Sequence, residues 1–194
     1  MNNKKKNFYG ISFSVYSDTK IEGDFIKPDE AVYFENDIEI TGSLEVKYLK
    51  CEKSINVHKS YKVEKWERIG GSQKIGGWQK IGWWQEIGWW QEIGEWQEIG
   101  GSQKIGWSQK IGWWQKIGES QEIGEWQEIG GSLKAKSSRV SLYSKVKGKY
   151  EVEKKVFIGV CEWKETTEEE ETLECGKFIS GDIKYGKLKE IGWF

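Results

Sequence analysis

The sequence predicts an all-β fold, a triangular parallel β-helix (β-solenoid) that a single chain winds with about 18 residues in each coil. Two observations predict it. From Ile69 to Ile129 an isoleucine occupies every sixth position, and a glycine follows each of these isoleucines. The charged residues that precede the isoleucines alternate in sign with an 18-residue period.

The six-residue spacing favours short strands over helices. It would carry an apolar position around the axis of an α-helix, where each glycine would cost about 0.5–1 kcal/mol relative to alanine. Short extended segments suit it, because glycine adopts the positive φ that a sharp corner often demands. We therefore expect stacked coils in which each segment is hydrogen-bonded to the equivalent segments of the neighbouring coils.

The charges determine how many six-residue units form one coil. At a separation of 18 residues every pair has opposite signs: Arg68/Glu86, Lys74/Glu92, Lys80/Glu98, Glu86/Lys104, Glu92/Lys110, Glu98/Lys116, Lys104/Glu122 and Lys110/Glu128. At a separation of six only three of ten pairs are opposite, and at twelve only six of nine. Side chains on adjacent strands lie about 4.8 Å apart, where opposite charges attract. One coil therefore contains three units, and its cross-section is a triangle.

Strand alternation assigns the directions of the side chains. If isoleucine points inward, the preceding Lys or Glu points outward and the glutamine before that points inward. Such a glutamine recurs from Gln73 to Gln127. A buried amide without a partner costs about 1–3 kcal/mol, but a column of amides can form hydrogen bonds along the stack. We interpret these glutamines as structural and not catalytic.

The tryptophans occupy the two corner positions after each glycine. Trp78, Trp96 and Trp114 should form one column and Trp89 should lie over Trp107, while Trp83 and Trp84 are followed one coil later by Gly101 and Ser102. We expect these indoles to be substantially exposed. Stacking within the protein would explain them, and an exposed aromatic patch is also typical of an interaction surface. The candidate interaction surface comprises Trp78, Trp83, Trp84, Trp89, Trp90, Trp96, Trp107, Trp114 and Trp126.

The six-residue spacing continues less regularly on both sides. We predict a partly flexible N-terminal segment (1–20), a continuous solenoid (21–164) with a regular block at 68–134, an acidic loop (165–175), and short C-terminal strands that cap or end the stack (176–194). At 18 residues per coil this gives about eight coils. The start of the chain is a poor signal peptide, is too short to span a membrane, and leaves weak interfacial contact as the alternative to a frayed terminus.

Overall charge and cysteine content narrow the classes of partner and compartment. The chain has 30 basic and 31 acidic side chains and a formal net charge of -1, which gives no overall signature of nucleic-acid binding. Its three cysteines, Cys51, Cys161 and Cys175, lack metal-ligand spacing. An odd, sparse set favours a reducing compartment, and we predict a cytoplasmic location.

Two families share features with the chain. The Ile-Gly units resemble those of hexapeptide acyltransferases, which form a left-handed β-helix, although glutamine replaces the small residue found at the fifth place of each unit in that family. The stretches "KIEGDFIKPDEAVYFENDIEITGSLEV" (Lys20–Val46) and "ISGDIKYGKLKEIG" (Ile179–Gly192) resemble the turns of bactofilins. That resemblance implies a right-handed triangular β-helix and a polymer-forming cytoskeletal role; the periodicity itself leaves the handedness open.

The inventory of reactive groups does not favour an enzyme. His58 is the only histidine and is expected at the surface, and no catalytic set, phosphate-binding loop or CxxC pair is present. We expect no catalytic residue, cofactor or metal. Two function classes remain: a scaffold whose partner is itself, or a binding module in which indoles stack on carbohydrate, another planar ligand or a protein. The scaffold is our leading hypothesis.

Overall fold

The computed structural model describes residues 4–192, and within that range every regular element is a β-strand. The first strands are β1 (Lys5–Phe8), β2 (Ile11–Tyr16), β3 (Lys20–Ile21), β4 (Phe25–Phe34), β5 (Ile38–Ile40) and β6 (Leu44–Cys51). The last are β21 (Ser137–Val140), β22 (Ser144–Ile158), β23 (Thr172–Tyr185) and β24 (Lys187–Glu190).

The central part of the chain is a succession of very short strands, nearly all of three residues. They are β7 (Ile55–Val57), β8 (Tyr61–Val63), β9 (Glu67–Ile69), β10 (Gln73–Ile75), β11 (Gln79–Ile81), β12 (Gln85–Ile87), β13 (Gln91–Ile93), β14 (Gln97–Ile99), β15 (Gln103–Ile105), β16 (Gln109–Ile111), β17 (Gln115–Ile117), β18 (Ser120–Ile123), β19 (Gln127–Ile129) and β20 (Leu133–Ala135).

Parallel pairing at an 18-residue separation confirms the predicted winding. In β10, Lys74 lies between Asn56 of β7 and Glu92 of β13. All the oppositely charged pairs predicted above are aligned partners on adjacent strands. Several form ion pairs, such as Lys74 with Glu92 at 3.5 Å and Lys80 with Glu98 at 3.2 Å.

Three walls result from this pairing. The first wall contains β9, β12, β15 and β18, the second β10, β13, β16 and β19, and the third β11, β14, β17 and β20. The first, second and third edges are the corners that follow these walls along the chain. The stack has about ten turns instead of the predicted eight. The difference arises because β2, β3, β23 and β24 extend it beyond 21–164.

The interior is a continuous core with two kinds of side chain. The inward isoleucines, such as Ile75 and Ile93, are about 1 % exposed, and the inward glutamines are equally buried. At the two ends, Phe25, Phe34, Val152 and Ile158 replace this pattern with ordinary apolar packing. Burial of the isoleucine columns is therefore the main source of stability along the whole rod.

Close approach of backbones explains the glycines, in contrast to the predicted positive φ. None of the glycines that follow the isoleucines has a positive φ. A Cβ atom at Gly94 would lie 2.1 Å from the carbonyl oxygen of Gly76 in the adjacent coil, and one at Gly76 would lie 2.1 Å from that of His58. Glycine is required here because its missing side chain lets one coil approach the next.

The N-terminal residues form a hairpin that packs outside the main core. β1 pairs antiparallel with β2 through a turn in which Tyr9 and Gly10 both have positive φ. Phe13 of β2 is buried with Tyr33 and Trp66 in a second hydrophobic cluster. The segment 1–20, predicted to be partly flexible, thus contributes two strands and a cluster on the third edge.

The C-terminal part continues the stack after one long loop. β22 ends at Ile158 and β23 begins at Thr172, so most of the predicted acidic loop (165–175) lies between these strands. β23 pairs with three successive parts of β22, with several register shifts, and β24 adds to β23. Among residues 4–192 there is no helix with the length and apolar character needed to cross a membrane.

Candidate functional site

The two corner positions after each glycine hold tryptophans of different exposure. At the first position, Trp83, Trp89, Trp107 and Trp113 are 53 to 67 % exposed. At the second position the indoles lie closer to the wall, and the most exposed, Trp90 and Trp114, reach 38 % and 37 %. The sequence predicted exposure for both positions alike, and the structure shows that only the first projects fully into solvent.

The second position produces the stacked column expected from the sequence. The rings of Trp78 and Trp96 are 5.1 Å apart with an interplanar angle of 4°, and Trp96 and Trp114 repeat the same geometry. At the first position, Trp89 stacks on Trp107 at 5.6 Å. Offset stacking at these distances stabilises each pair by about 0.5–1.5 kcal/mol beyond the buried area.

Two further stacks were not anticipated from the regular block. Trp84 stacks on Trp66 at 5.2 Å, and Trp126 stacks on Tyr143 at 6.0 Å. Both partners lie near or beyond the ends of the regular repeat, where one-residue register slips hide the 18-residue spacing. Trp66 and Tyr143 could have been found by extending the columns of the second corner position in both directions.

The nine predicted surface residues are divided among three edges and do not form one patch. The first edge carries Trp89, Trp90, Trp107 and Trp126. The second edge carries Trp78, Trp96 and Trp114, together with Trp113, which the sequence-based set had omitted. The third edge carries Trp83 and Trp84 next to the N-terminal aromatic cluster.

Small residues next to paired tryptophans create two grooves. Gly71 and Ser72 precede Trp89 and Trp90 by one coil, and an open groove of about 760 Å³ lies there between the first edge and the second wall. Gly101 and Ser102 follow Trp83 and Trp84, and a shallower space of about 530 Å³ lies at that position. In both places one face of the indole pair has no aromatic side chain stacked on it.

The interior glutamines form a hydrogen-bonded helix of amides. Nε2 of Gln97 donates to Oε1 of Gln79 one coil away at 2.6 Å, and also lies 3.0 Å from Oε1 of both Gln85 and Gln91. The predicted bonds along each column are present, and bonds between the columns join the three walls as well. These amides are fully buried, so they satisfy one another and contact no ligand.

One buried carboxyl group begins this amide helix and was missed from the sequence. Glu67 occupies the inward position that glutamine holds in the following units, and it is fully buried. It accepts hydrogen bonds from the Tyr61 hydroxyl, from Gln73 Nε2 at 3.1 Å, from Gln79 Nε2 at 3.1 Å, and from Gln85 Nε2. Burial raises the pKa of Glu67 to about 7, although these hydrogen bonds oppose the shift.

The other reactive groups are inert or exposed singly. His58 is exposed, and its Nε2 lies 2.8 Å from Oε1 of Glu39. Burial raises the pKa of the Cys51 thiol to about 12 and that of Cys175 to about 11, so neither is an activated nucleophile. In the part of the chain that the structure describes, no cluster of three or more His, Cys, Asp or Glu side chains has a metal-binding arrangement.

Comparison of the chain with protein-family models, with curated proteins and with solved structures finds no match. The function must therefore be argued from the exposed edges, the grooves and the ends of the stack.

Proposed function

We propose that this protein is a non-catalytic scaffold, a rigid β-solenoid rod that associates with further copies of itself through its tryptophan-lined edges. The observation that carries the proposal is the exposure of Trp83, Trp89, Trp107 and Trp113, each more than half exposed on a rigid wall. Exposed aromatic surface that a fold holds in place is typical of a contact surface.

Stacking within the chain explains only part of the tryptophan content. Trp78, Trp96 and Trp114 cover one another, so their contribution to the stability of the monomer accounts for them. Trp83 and Trp113 have no comparable ring stack along their columns, because Gly101 follows Trp83 and Glu95 precedes Trp113 at the same corner position. These two side chains gain most from burial against a second molecule.

The C-terminal end of the stack supports a second mode of association. Ile179, Tyr185 and Leu188 are 41 to 44 % exposed on the last described strands, β23 and β24. A terminal coil offers backbone N–H and C=O groups that another strand can pair with. The resemblance of Lys20–Val46 and Ile179–Gly192 to bactofilin turns, which imply polymer formation, lends further support.

The proposed setting is the cytoplasm. Its support is the set of free cysteines, of which Cys51 and Cys175 are buried as protonated thiols. Buried free thiols of this kind are typical of proteins from reducing compartments.

The test is sedimentation velocity and negative-stain microscopy of the full chain over a wide range of protein concentration and salt. The matched variant is Trp83→Glu combined with Trp113→Glu, because Glu95, Glu119 and Glu125 already occupy the same corner position and the fold accepts glutamate there. We expect concentration-dependent assemblies for the unmodified chain and a shift to monomer for the double variant. A chain that is monodisperse and monomeric at all concentrations would refute the scaffold function.

A second variant separates lateral from end-to-end association. Ile179→Lys combined with Leu188→Lys adds charge to the exposed apolar side chains of the terminal strands and leaves the edges unchanged. Shorter assemblies of unchanged width would indicate that the ends contribute, and thinner assemblies in the Trp83 and Trp113 variant would indicate that the edges contribute.

A further inference from the structure

We propose that the groove at Trp89 and Trp90 is a binding site for a neutral oligosaccharide, with a pyranose ring stacked on the indole of Trp90. This site is independent of self-association, which is argued from Trp83 and Trp113 on the other two edges. The groove has a volume of about 760 Å³ and lies where the first edge meets the second wall.

The floor of the groove is an indole surface that the protein itself does not cover. In its column Trp90 stands between Ser72 and Ser108, so no aromatic side chain stacks on either face. Trp89 stacks on Trp107 with one face, and its other face is directed towards Gly71. A rigid, partly exposed ring beside an open space offers a flat apolar surface to the C–H face of a sugar.

The side wall of the groove is a ladder of hydrogen-bonding groups. Glu39, Asn56 and Lys74 are consecutive outward residues of the second wall and are aligned in register on β5, β7 and β10. Adjacent strands lie about 4.8 Å apart, so these side chains provide a carboxylate, an amide and an ammonium group at regular intervals. Asp37 and Ser54 lie at the upper rim, where Ser54 N donates to Asp37 Oδ1 at 2.9 Å.

The charges in the groove favour a neutral ligand over an ionic one. Asp37 and Glu39 are balanced by Lys53 and Lys74, and part of this charge is already paired: Glu39 with His58 at 2.8 Å, and Lys74 with Glu92 at 3.5 Å. A phosphate or sulfate backbone would meet two carboxylates here, whereas stacking sites for single-stranded nucleic acid lie in positively charged grooves. Hydroxyl groups both donate and accept hydrogen bonds and are satisfied by this mixture.

The experiment is isothermal titration calorimetry of the full chain with cellohexaose and with the neutral hexamer of N-acetylglucosamine, followed by NMR of the indole N–H groups. The variant is Trp90→Ser, because serine occupies the equivalent positions 72 and 108 of the adjacent coils. We expect one of the two sugars to bind, to shift the indole resonances of Trp89 and Trp90, and to bind about five- to tenfold more weakly to the variant, the scale of one lost stacking contact.

The matched control is Trp114→Ser. Trp114 has the same corner position and nearly the same exposure, 37 % against 38 %, and Ser132 follows it in its column, but it lies outside the groove. The control should bind the sugar as the unmodified chain does. Equal weakening in both variants, unchanged binding to Trp90→Ser, or binding of neither sugar would overturn the proposal.

A second comparison tests the neutral character of the ligand. A heparin hexasaccharide and a single-stranded oligothymidine should bind more weakly than the neutral sugar and should leave the Trp90 resonance unchanged. Preferential binding of either polyanion in this groove would refute the assignment, whereas loss of self-association with intact sugar binding would bear only on the scaffold function.

Discussion

The Glu67 carboxylate accepts a hydrogen bond from Gln73 Nε2 at 3.1 Å and so replaces a glutamine at the start of the interior amide helix. Each amide of the regular block donates towards the N-terminal end, and the donors at that end converge on a single titratable group. The position of Glu67 therefore links the stability of the solenoid to its protonation.

The first prediction concerns pH. Burial raises the pKa of Glu67 from its ordinary value of 4.5 to about 7 in the folded chain. The folded state therefore holds a proton that the unfolded state has lost between these values, and stability is highest below pH 4.5 and falls as the pH rises to about 7. This shift corresponds to about 3 kcal/mol in the free energy of unfolding. Urea unfolding at a series of pH values measures it.

Substitution of Glu67 by Gln should remove this dependence. Glutamine keeps an acceptor for the neighbouring amides and donates to the Tyr61 hydroxyl, so the variant should be more stable than the unmodified chain above pH 7. Glu98→Gln is the control, because Lys116 and Lys80 hold the pKa of the Glu98 carboxyl below its ordinary value. That control should leave the slope above pH 4.5 unchanged. An unaltered slope in Glu67→Gln would contradict the assignment to Glu67.

The sequence predicted the winding because the relevant signals are local and repeated. Arg68, Lys74 and Lys80 alternate with Glu86, Glu92 and Glu98, and only a three-sided coil brings all these partners together. Inward glutamine and isoleucine followed from strand alternation alone. For such features the period of the repeat is sufficient information.

Other features depended on contacts that a period does not contain. The packing of Phe13 against Trp66 requires the hairpin to fold back along the third edge, and nothing in its local sequence specifies that direction. The groove at Trp90 depends on small residues one coil away, and the role of the glycines depends on the distance between backbones. Sequence reasoning assigned a backbone conformation to glycine where the structure shows a steric requirement.

The second prediction follows from that requirement. Gly94→Ala would place a methyl group 2.1 Å from the Gly76 carbonyl oxygen, so the coils must separate locally. We expect a loss of about 1–3 kcal/mol in the free energy of unfolding, as for other overpacked sites. The control is Gly77→Ala, in which the nearest atom would be 3.0 Å away and the same corner position carries Glu95 in the next coil. Comparable losses in both variants would show that proximity to the adjacent carbonyl is not the cause.

The third prediction concerns the charge ladder. Glu92→Lys places a third cation between Lys74 and Lys110, which are its aligned partners on the adjacent strands. The melting temperature should fall, and it should fall more at low salt than at high salt because exposed charges are screened. Glu95→Lys is the matched control, since its column neighbours are Gly77 and Trp113. An equal decrease at both salt concentrations would contradict the electrostatic explanation.

The fourth prediction tests whether the amide helix stabilises the rod. Gln97 Oε1 accepts from Gln103, Gln109 and Gln115, so Gln97→Leu leaves buried donors with fewer acceptors while it conserves most of the side-chain volume. Each buried group that loses its partner costs about 1–3 kcal/mol, and we expect the loss in the free energy of unfolding to reach at least that value. Ile99→Val removes one methylene group from the same strand and should cost about 0.5–1.5 kcal/mol. If the leucine variant were as stable as the unmodified chain, the interior amides would act only as space-filling groups and the isoleucine columns alone would stabilise the stack.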